Sequence, residues 1–346
     1  MTQIKRLNIE KDKRVLITSD IHGNLELFQS MLTKVGYSNK DILIINGDIS
    51  EKGSDSIGLF LYLIDLQKEG EVYFTLGNCD HLINHFHDDE KITGMTEYMN
   101  SRANTILAEF GCQMGGEMDY IKRRQYAIET YPEIIELVAS MPLIIETDDF
   151  ICVHAGLRED GKVDFRYNTS FPNFIKEDVT FDKPVIVGHY PVCLSRNDEI
   201  CHNVFYDREK NIIASDGGNM IKPLGQLNLV IYQDGDFTFE AFDLLETIAA
   251  PHDQVGQKGV AINWDNNGIS ILEKGEEMSL IHHPFSGEDF YVHNYFLDLE
   301  RGKSIRDTTN ALVDVKAGDP ITILLDTEKS YYIKCNGYEG WYNKKS

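Results

Sequence analysis

The chain has 346 residues, 42% of them hydrophobic, and carries 33 Lys and Arg against 56 Asp and Glu, a net charge of −23. That length allows two or three domains with a large core. The charge excludes a surface that grips nucleic acid or anionic lipid nonspecifically, so an anionic substrate must meet a local positive site. No run nears the ~20 apolar residues of a membrane helix, and the amino terminus spreads its charges without the apolar stretch of a signal peptide. The six cysteines, Cys79, Cys112, Cys152, Cys193, Cys201 and Cys335, show no Cys-x-x-Cys spacing. Reduced thiols in a reducing cytoplasm are the expectation.

Short apolar, β-branched runs bounded by Gly read as buried strands. Residues 15–19 lead into Asp20, Ile21, His22 and Gly23. A helix follows over 24–32, with Leu27, Met31 and Leu32 on one face and Gly36 to stop it. Residues 42–46 lead into Gly47 and Asp48, and 57–66 form a second apolar helix before Gly70. Residues 72–76 lead into Gly77, Asn78, Cys79, Asp80 and His81. From 92 to 140 the period is helical, in pieces over 95–110 and 118–140. Residues 150–153 lead into His154, Ala155 and Gly156, and 185–187 into Gly188 and His189. Beyond that the pattern turns to antiparallel β, with strands over 211–214, 227–232 and 237–242 forming a second sheet. Asp234-Gly235 is the hairpin signal between the last two.

Ligands bind just past the carboxyl ends of such strands. Asp20, His22, Asp48, Asn78, His154 and His189 should therefore converge on one rim. Oxygen and imidazole ligands without thiolate suit Mn, Fe or Zn. Gly beside each polar residue lets the backbone turn sharply where a ligand must approach.

These motifs, Asp20-Ile21-His22, Gly47-Asp48 through Gly53, Gly77-Asn78-Cys79-Asp80, His154-Ala155-Gly156 and Gly188-His189, resemble the calcineurin-like metallophosphoesterase superfamily in order and spacing. The stretch before Met141-Pro142-Leu143 and the string Val153-His154-Ala155-Gly156-Leu157 resemble its phosphoprotein phosphatase branch, which includes bacterial diadenosine tetraphosphatases. The resemblance covers roughly residues 13–245. It implies an α/β fold, a two-sheet metallophosphoesterase sandwich flanked by helices. It also implies that Asp20 and His22 hold one metal, that Asp48 bridges to a second, and that Asn78, His154 and His189 complete the ligands of the second metal. Two cations about 3.5–4 Å apart would share a bridging hydroxide that attacks phosphorus in line.

The branch has His where this chain has Cys79, and that His is thought to protonate the leaving group. A thiol is the poorer acid at neutral pH. His81 is the candidate to take over, so the expected catalytic set is Asp48, Cys79, Asp80 and His81. Glu51-Lys52 replaces the branch's Asp-Arg, and Lys lacks the bidentate fork of Arg. Lys52 and Asn78 are the expected phosphate contacts, with Arg166 preferred over Arg158 as the second phosphate-binding arginine. Asp216 reads as support for a ligand or as a turn residue. Arg123 and Arg124 read first as a solvated face, and His81, His85 and His87 as a further metal site only if a carboxylate joins them.

Residues 1–248 are expected to form the catalytic domain, with a helical insert over about 82–140, and 249–346 a small all-β accessory domain. Strand-like runs there fall at 260–262, 269–272, 290–292, 321–325 and 331–335. Residues 330–342 resemble the closing hairpin of bacterial Src-homology-3-like domains, a β-barrel module that binds a partner, mediates oligomers or packs against the catalytic domain. The leading functional expectation is a dinuclear metal-dependent phosphoesterase, serine/threonine phosphatase-like, acting on a phosphomonoester such as a phosphoprotein. The alternative is a phosphodiesterase or dinucleoside polyphosphate hydrolase, and a third reading is a non-catalytic scaffold.

Overall fold

The apolar runs become short strands. In a computed structural model that describes residues 3–87 and 104–344, these are β1 (Ile4–Arg6), β2 (Val15–Thr18), β3 (Ile42–Asn46), β4 (Glu71–Thr75), β5 (Ile144–Glu146), β6 (Ile151–Val153), β7 (Val185–Val187), β8 (Ile200–Cys201), β9 (Phe205–Asp207), β10 (Ile212–Ala214), β11 (Leu227–Gln233) and β12 (Asp236–Phe242). The chain divides into one unit of Met1–Tyr190 with Val204–Asp243 and another of Pro191–Asn203 with Leu244–Ser346.

The first unit is an α/β sandwich. One sheet runs β1-β5-β6-β7-β10-β9 and the other β12-β11-β2-β3-β4. β2, β3 and β4 are mutually parallel, as are β6, β7 and β10. Val15, Ile17, Ile42 and Ile44 from one sheet share a buried cluster with Ile145, Cys152, Ile186 and Ile213 from the other. Each such aliphatic side chain contributes about 1.5–3 kcal/mol by leaving water. Parallel strands in each sheet end at the same edge, which places the residues just beyond them together.

The helices start where the sequence signals them. α1 (Leu25–Lys34) is capped by Asn24, whose side chain accepts from the Leu27 N–H at 3.3 Å, and its buried face is Leu27, Phe28, Met31 and Leu32. α2 (Ser56–Glu69) is capped by Asp55 and ends before Gly70. α3 (His81–Asn84) is a single turn. The piece expected over 118–140 is two helices, Tyr120–Thr130 and Pro132–Ser140, because Pro132 cannot continue a helix and instead starts the next. The piece expected over 95–110 lies largely outside the described residues; a helix over Ile106–Gln113, capped by Thr105, covers its end.

The strands after His189 differ from expectation. β10 joins the first sheet, parallel to β7, while β11 inserts between β12 and β2 in the other. They do not form a sheet of their own. The β11–β12 hairpin turns at Asp234 and Gly235, both at positive φ as a type I′ turn requires.

The second unit is almost all β. Its largest sheet orders Ile248–Ala249, Pro320–Asp326, Ser330–Cys335, Tyr338–Asn343 and β8. A three-stranded meander, Ser270–Glu273, Met278–His283 and Glu288–His293, packs Ile281, Phe290 and Val292 with Phe296 and Tyr332. The boundary expected at 248 falls after Asp243, and Pro191–Asn203 belongs with this unit. Glu339 and Tyr338 pair with Ile200 and Cys201, and His202 Nε2 lies 2.5 Å from Glu339 Oε1, both buried.

Candidate metal centre

Each ligand candidate follows a strand: Asp20 after β2, Asp48 after β3, Asn78 after β4, His154 after β6, His189 after β7. The two sheets thus contribute to one site, Asp20, Asp48 and Asn78 from one and His154 and His189 from the other. Asp20, His22, Asp48 and His189 all take positive φ, at 54°, 52°, 54° and 68°. Such backbone is strained for residues with a Cβ and collects at functional sites. The neighbouring Gly77 and Gly188 serve a different need, close approach. A Cβ on Gly77 would lie 2.2 Å from the Asp48 nitrogen, and one on Gly188 2.3 Å from Asp20 Oδ2.

Two groups of potential ligand atoms result, His22 with Asp48 and Cys79, and Asp48 with His154 and His189. Asp48 belongs to both, as a bridging carboxylate must. Its Oδ2 is 3.9 Å from His22 Nε2 and its Oδ1 3.3 Å from His154 Nε2. Asp20 Oδ1 is 3.9 Å from His22 Nε2. The imidazoles are oriented by backbone carbonyls. His22 Nδ1 meets the Ser50 oxygen at 3.1 Å and His154 Nδ1 the Asn46 oxygen at 2.8 Å. With those nitrogens donating, both rings present the Nε2 lone pair to the carboxylates.

Asn78 sits among the same atoms. In one amide orientation its Oδ1 is 3.3 Å from His154 Nε2. In the other its nitrogen reaches the Thr169 carbonyl at 3.2 Å and His189 Nδ1 at 2.8 Å. In the first orientation acceptors from Asp48, His154 and Asn78 converge; in the second the Asn78 amide donates to the histidines.

The electrostatics fit cations. Burial, then the charge of Asp48, push the Asp20 carboxyl up to about 8. Burial also pushes Asp48 up, but His154, His22 and Lys52 outweigh it and hold Asp48 below the usual carboxylate range. Burial, then Lys52, pull His22 down to about 3, and burial, then His154, pull His189 down to about 4. His22 and His189 are therefore neutral at pH 7. Asp216, directly after β10, is raised well above its ordinary value by burial and by Asp20. Its Oδ1 accepts from the Gly218 N–H at 2.7 Å, while its buried Oδ2 has no hydrogen-bond partner. Buried carboxylates and largely buried imidazoles with an orphaned acid oxygen are the donor chemistry that divalent cations satisfy.

The other expected site residues fall as follows. Cys79 is buried; its N–H donates to Asp48 Oδ1 at 2.9 Å, and burial and Asp48 push its thiol well above the ordinary value. Asp80 Oδ1 accepts from Ile49 N, Ser50 N and Ser50 Oγ, which holds the loop after Asp48. Burial, then Asp48, push it up to about 6. Lys52 Nζ lies 3.0 Å from His22 Nε2. Burial opposes its charge, yet Cys79, Asp48 and Asp20 around it raise it above its ordinary value. Glu51 faces away and accepts from the Ile106 N–H at 3.0 Å.

His81 packs its ring against His85 and Phe165. Neither His81 nor His85 belongs to a ligand cluster among the described residues, and the His87 side chain lies outside them. Arg166 is exposed on the helix Phe165–Ser170, while Arg158 is paired with Asp164 at 2.7 Å and stacked on Tyr167. Arg123 is committed to the Glu117 and Leu107 carbonyls. Sequence reasoning missed Asn219, whose amide donates to the Ile21 carbonyl at 2.8 Å and to that of Asp20 at 3.4 Å. An Asn three residues past Asp216, in a Gly-rich turn, was the available signal.

Comparison with known proteins agrees with this geometry. The profile of the calcineurin-like phosphoesterase family matches residues 13–213 and does not reach Leu244–Ser346. The asymmetrical bis(5'-nucleosyl)-tetraphosphatase PrpE of Oceanobacillus iheyensis is 28% identical over 209 residues, 52% of this chain and 78% of that protein. PrpE of Bacillus subtilis is 22% identical over 157 residues, 42% of this chain and 58% of that protein. Among solved structures, the cold-active protein-tyrosine phosphatase of a psychrophilic Shewanella species aligns with 70% of this chain and 83% of its own, at 16% identity and a TM-score of 0.46.

Proposed function

The chain belongs to the calcineurin-like phosphoesterase family, a metal-dependent phosphoester hydrolase by its site, and from that premise we propose that it cleaves a phosphoanhydride, with dinucleoside polyphosphates as its substrate class. The observation that carries this reading is Cys79, a buried thiol held in its protonated form where the phosphatase branch has the His thought to protonate the leaving group. A serine phosphate must release an alkoxide, which needs a proton from an acid of suitable pKa. A phosphoanhydride releases a phosphate, whose last ionisation lies near pH about 6, and needs no such donor. The names of the PrpE relatives support the same class.

Asp20, His22, Asp48, Asn78, His154 and His189 would hold two cations, with Mn, Fe or Zn suited to such N and O donors. When bound, these supply Lewis acidity toward phosphate oxygens and lower the pKa of a shared water. Asp48 links the two halves of the site. Ser50 and Asn46 fix the rings of His22 and His154, Asp80 holds the loop that carries Asp48, and Asp216 lies behind Asp20. Lys52 brings a point charge to the substrate phosphates, and Arg166 the second. No helix among the described residues is long and apolar enough to cross a membrane, and the free cysteines suit a reducing cytoplasm.

The test is turnover, with added Mn, of diadenosine tetraphosphate, bis-para-nitrophenyl phosphate and a phosphoserine peptide, with Asp48→Asn in parallel. Dinucleotide cleavage that disappears in the variant is expected. A preference for the phosphoserine peptide would sink the substrate assignment and restore the phosphoprotein reading. No turnover together with no metal uptake would favour a scaffold.

A further inference from the structure

We propose that the ring pair Phe165–His81 is a stacking shelf for a nucleobase of the substrate, an inference that rests on the dinucleotide reading above. Phe165 opens the short helix Phe165–Ser170, and His81 opens α3. Their ring centroids lie 4.4 Å apart with the planes tilted by 55°, and the His85 ring lies 4.5 Å from that of His81. The elements that carry the two rings both border the metal centre. α3 directly follows Asn78, Cys79 and Asp80. The helix of Phe165 brings the Thr169 carbonyl to the Asn78 amide at 3.2 Å, and the Ser170 backbone bonds His189. Both elements therefore border Asn78, where a reacting phosphate would sit.

A lone exposed aromatic residue needs no explanation. Phe165 differs from its neighbour on the same helix. Tyr167 is covered on its faces by Phe171, at 4.2 Å, and by the Arg158 guanidinium, at 4.6 Å. Phe165 rests one side on an imidazole and is 40% exposed. An exposed aromatic ring steadied by a second ring is what a nucleobase stacks on, whatever its sequence identity, because every base has a π-face. The adjacent Arg166, exposed at the same helix end, matches the anionic chain that joins such a base to the scissile bond.

The test compares affinities for a methylene-bridged, non-hydrolysable analogue of ATP and for methylenediphosphonate, by titration calorimetry on the Mn-loaded protein. The first ligand has the base and the second only the phosphate chemistry. Phe165→Ala should weaken the nucleotide analogue by about tenfold, leave methylenediphosphonate unchanged, and be rescued by Phe165→Trp. Equal loss for both ligands, or no loss for the nucleotide, would overturn the shelf. A wild type that binds the nucleotide no more tightly than methylenediphosphonate would overturn it as well. If the Phe165 effect is present but diadenosine tetraphosphate is not cleaved, the substrate reading falls while the shelf stands.

Discussion

His154 and His202 are both wholly buried and each faces a carboxylate, His154 Nε2 at 3.3 Å from Asp48 Oδ1 and His202 Nε2 at 2.5 Å from Glu339 Oε1. The two surroundings are balanced differently. Around Glu339 an imidazole and an acid satisfy each other between β8 and the strand Tyr338–Asn343. Around Asp48 the acids are in surplus, with Asp20, Asp80 and Asp216 also buried, and Asp80 Oδ2 and Asp216 Oδ2 lack hydrogen-bond partners. A balanced pair is architecture. A surplus of buried acid costs stability unless cations are to arrive, so it marks the working site.

The largest test of that distinction is at its centre. Asp48→Asn should lower Mn-dependent turnover by about a thousandfold or more, because one carboxylate is lost from both halves of the site. The fold should persist, since Asn keeps an oxygen for the Cys79 N–H. Steady-state rates beside a thermal unfolding curve check both statements, and a variant that keeps most of its activity would remove Asp48 from the bridging role.

The balanced pair should behave in the opposite way. Glu339→Ala removes the carboxylate that faces the buried His202 imidazole and should cost about 1–3 kcal/mol of unfolding free energy. Denaturant titration gives that number, and aryl phosphate turnover of the folded fraction should not change. A drop in turnover without a loss of stability would break the comparison.

Asp216→Asn tests whether an acid outside the ligand set still belongs to the surplus. It should weaken Mn binding by roughly ten- to a hundredfold, as outer-sphere partners of metal ligands do. Equilibrium dialysis or calorimetry reads this directly, and unchanged affinity would make Asp216 a turn residue only.

The convergence of Asp20, His22, Asp48, Asn78, His154 and His189 was legible because each lies where a short apolar run meets Gly, a pattern that requires only local reading. The two sheets were less so. β10 has the same composition whether it pairs with β7 or with β11, and only the long-range fold decides. The sharp turns expected at the glycines occur at Gly23 and Gly47, but Asp20, His22, Asp48 and His189 carry a left-handed φ as well. The His202–Glu339 contact was invisible, because β8 is two residues long and its partner lies 137 positions away. Nothing in the composition of Pro191–Asn203 separates it from the residues on either side, although it belongs to the other unit.

The smallest expected effect is a pH dependence that the surplus acids impose on the metal-free protein. Asp20 is pushed up to about 8 and Glu51 to about 7 in the folded chain, both by burial first. The folded state therefore keeps protons that the unfolded state has already released, and stability falls as pH rises through this range. His22 and His189, pulled down to about 3 and about 4, act in the other direction, but only below the ordinary histidine value of 6.5. The window free of that opposition is from about pH 6.5 to 8, where the loss should be on the order of 1–2 kcal/mol. Bound Mn should abolish the slope, because it takes over the charge that the proton on Asp20 otherwise removes. Unfolding curves at several pH values, with chelator and with Mn, decide it; a metal-free protein whose stability is flat or rises across that window would show that the acids around Asp48 are already balanced.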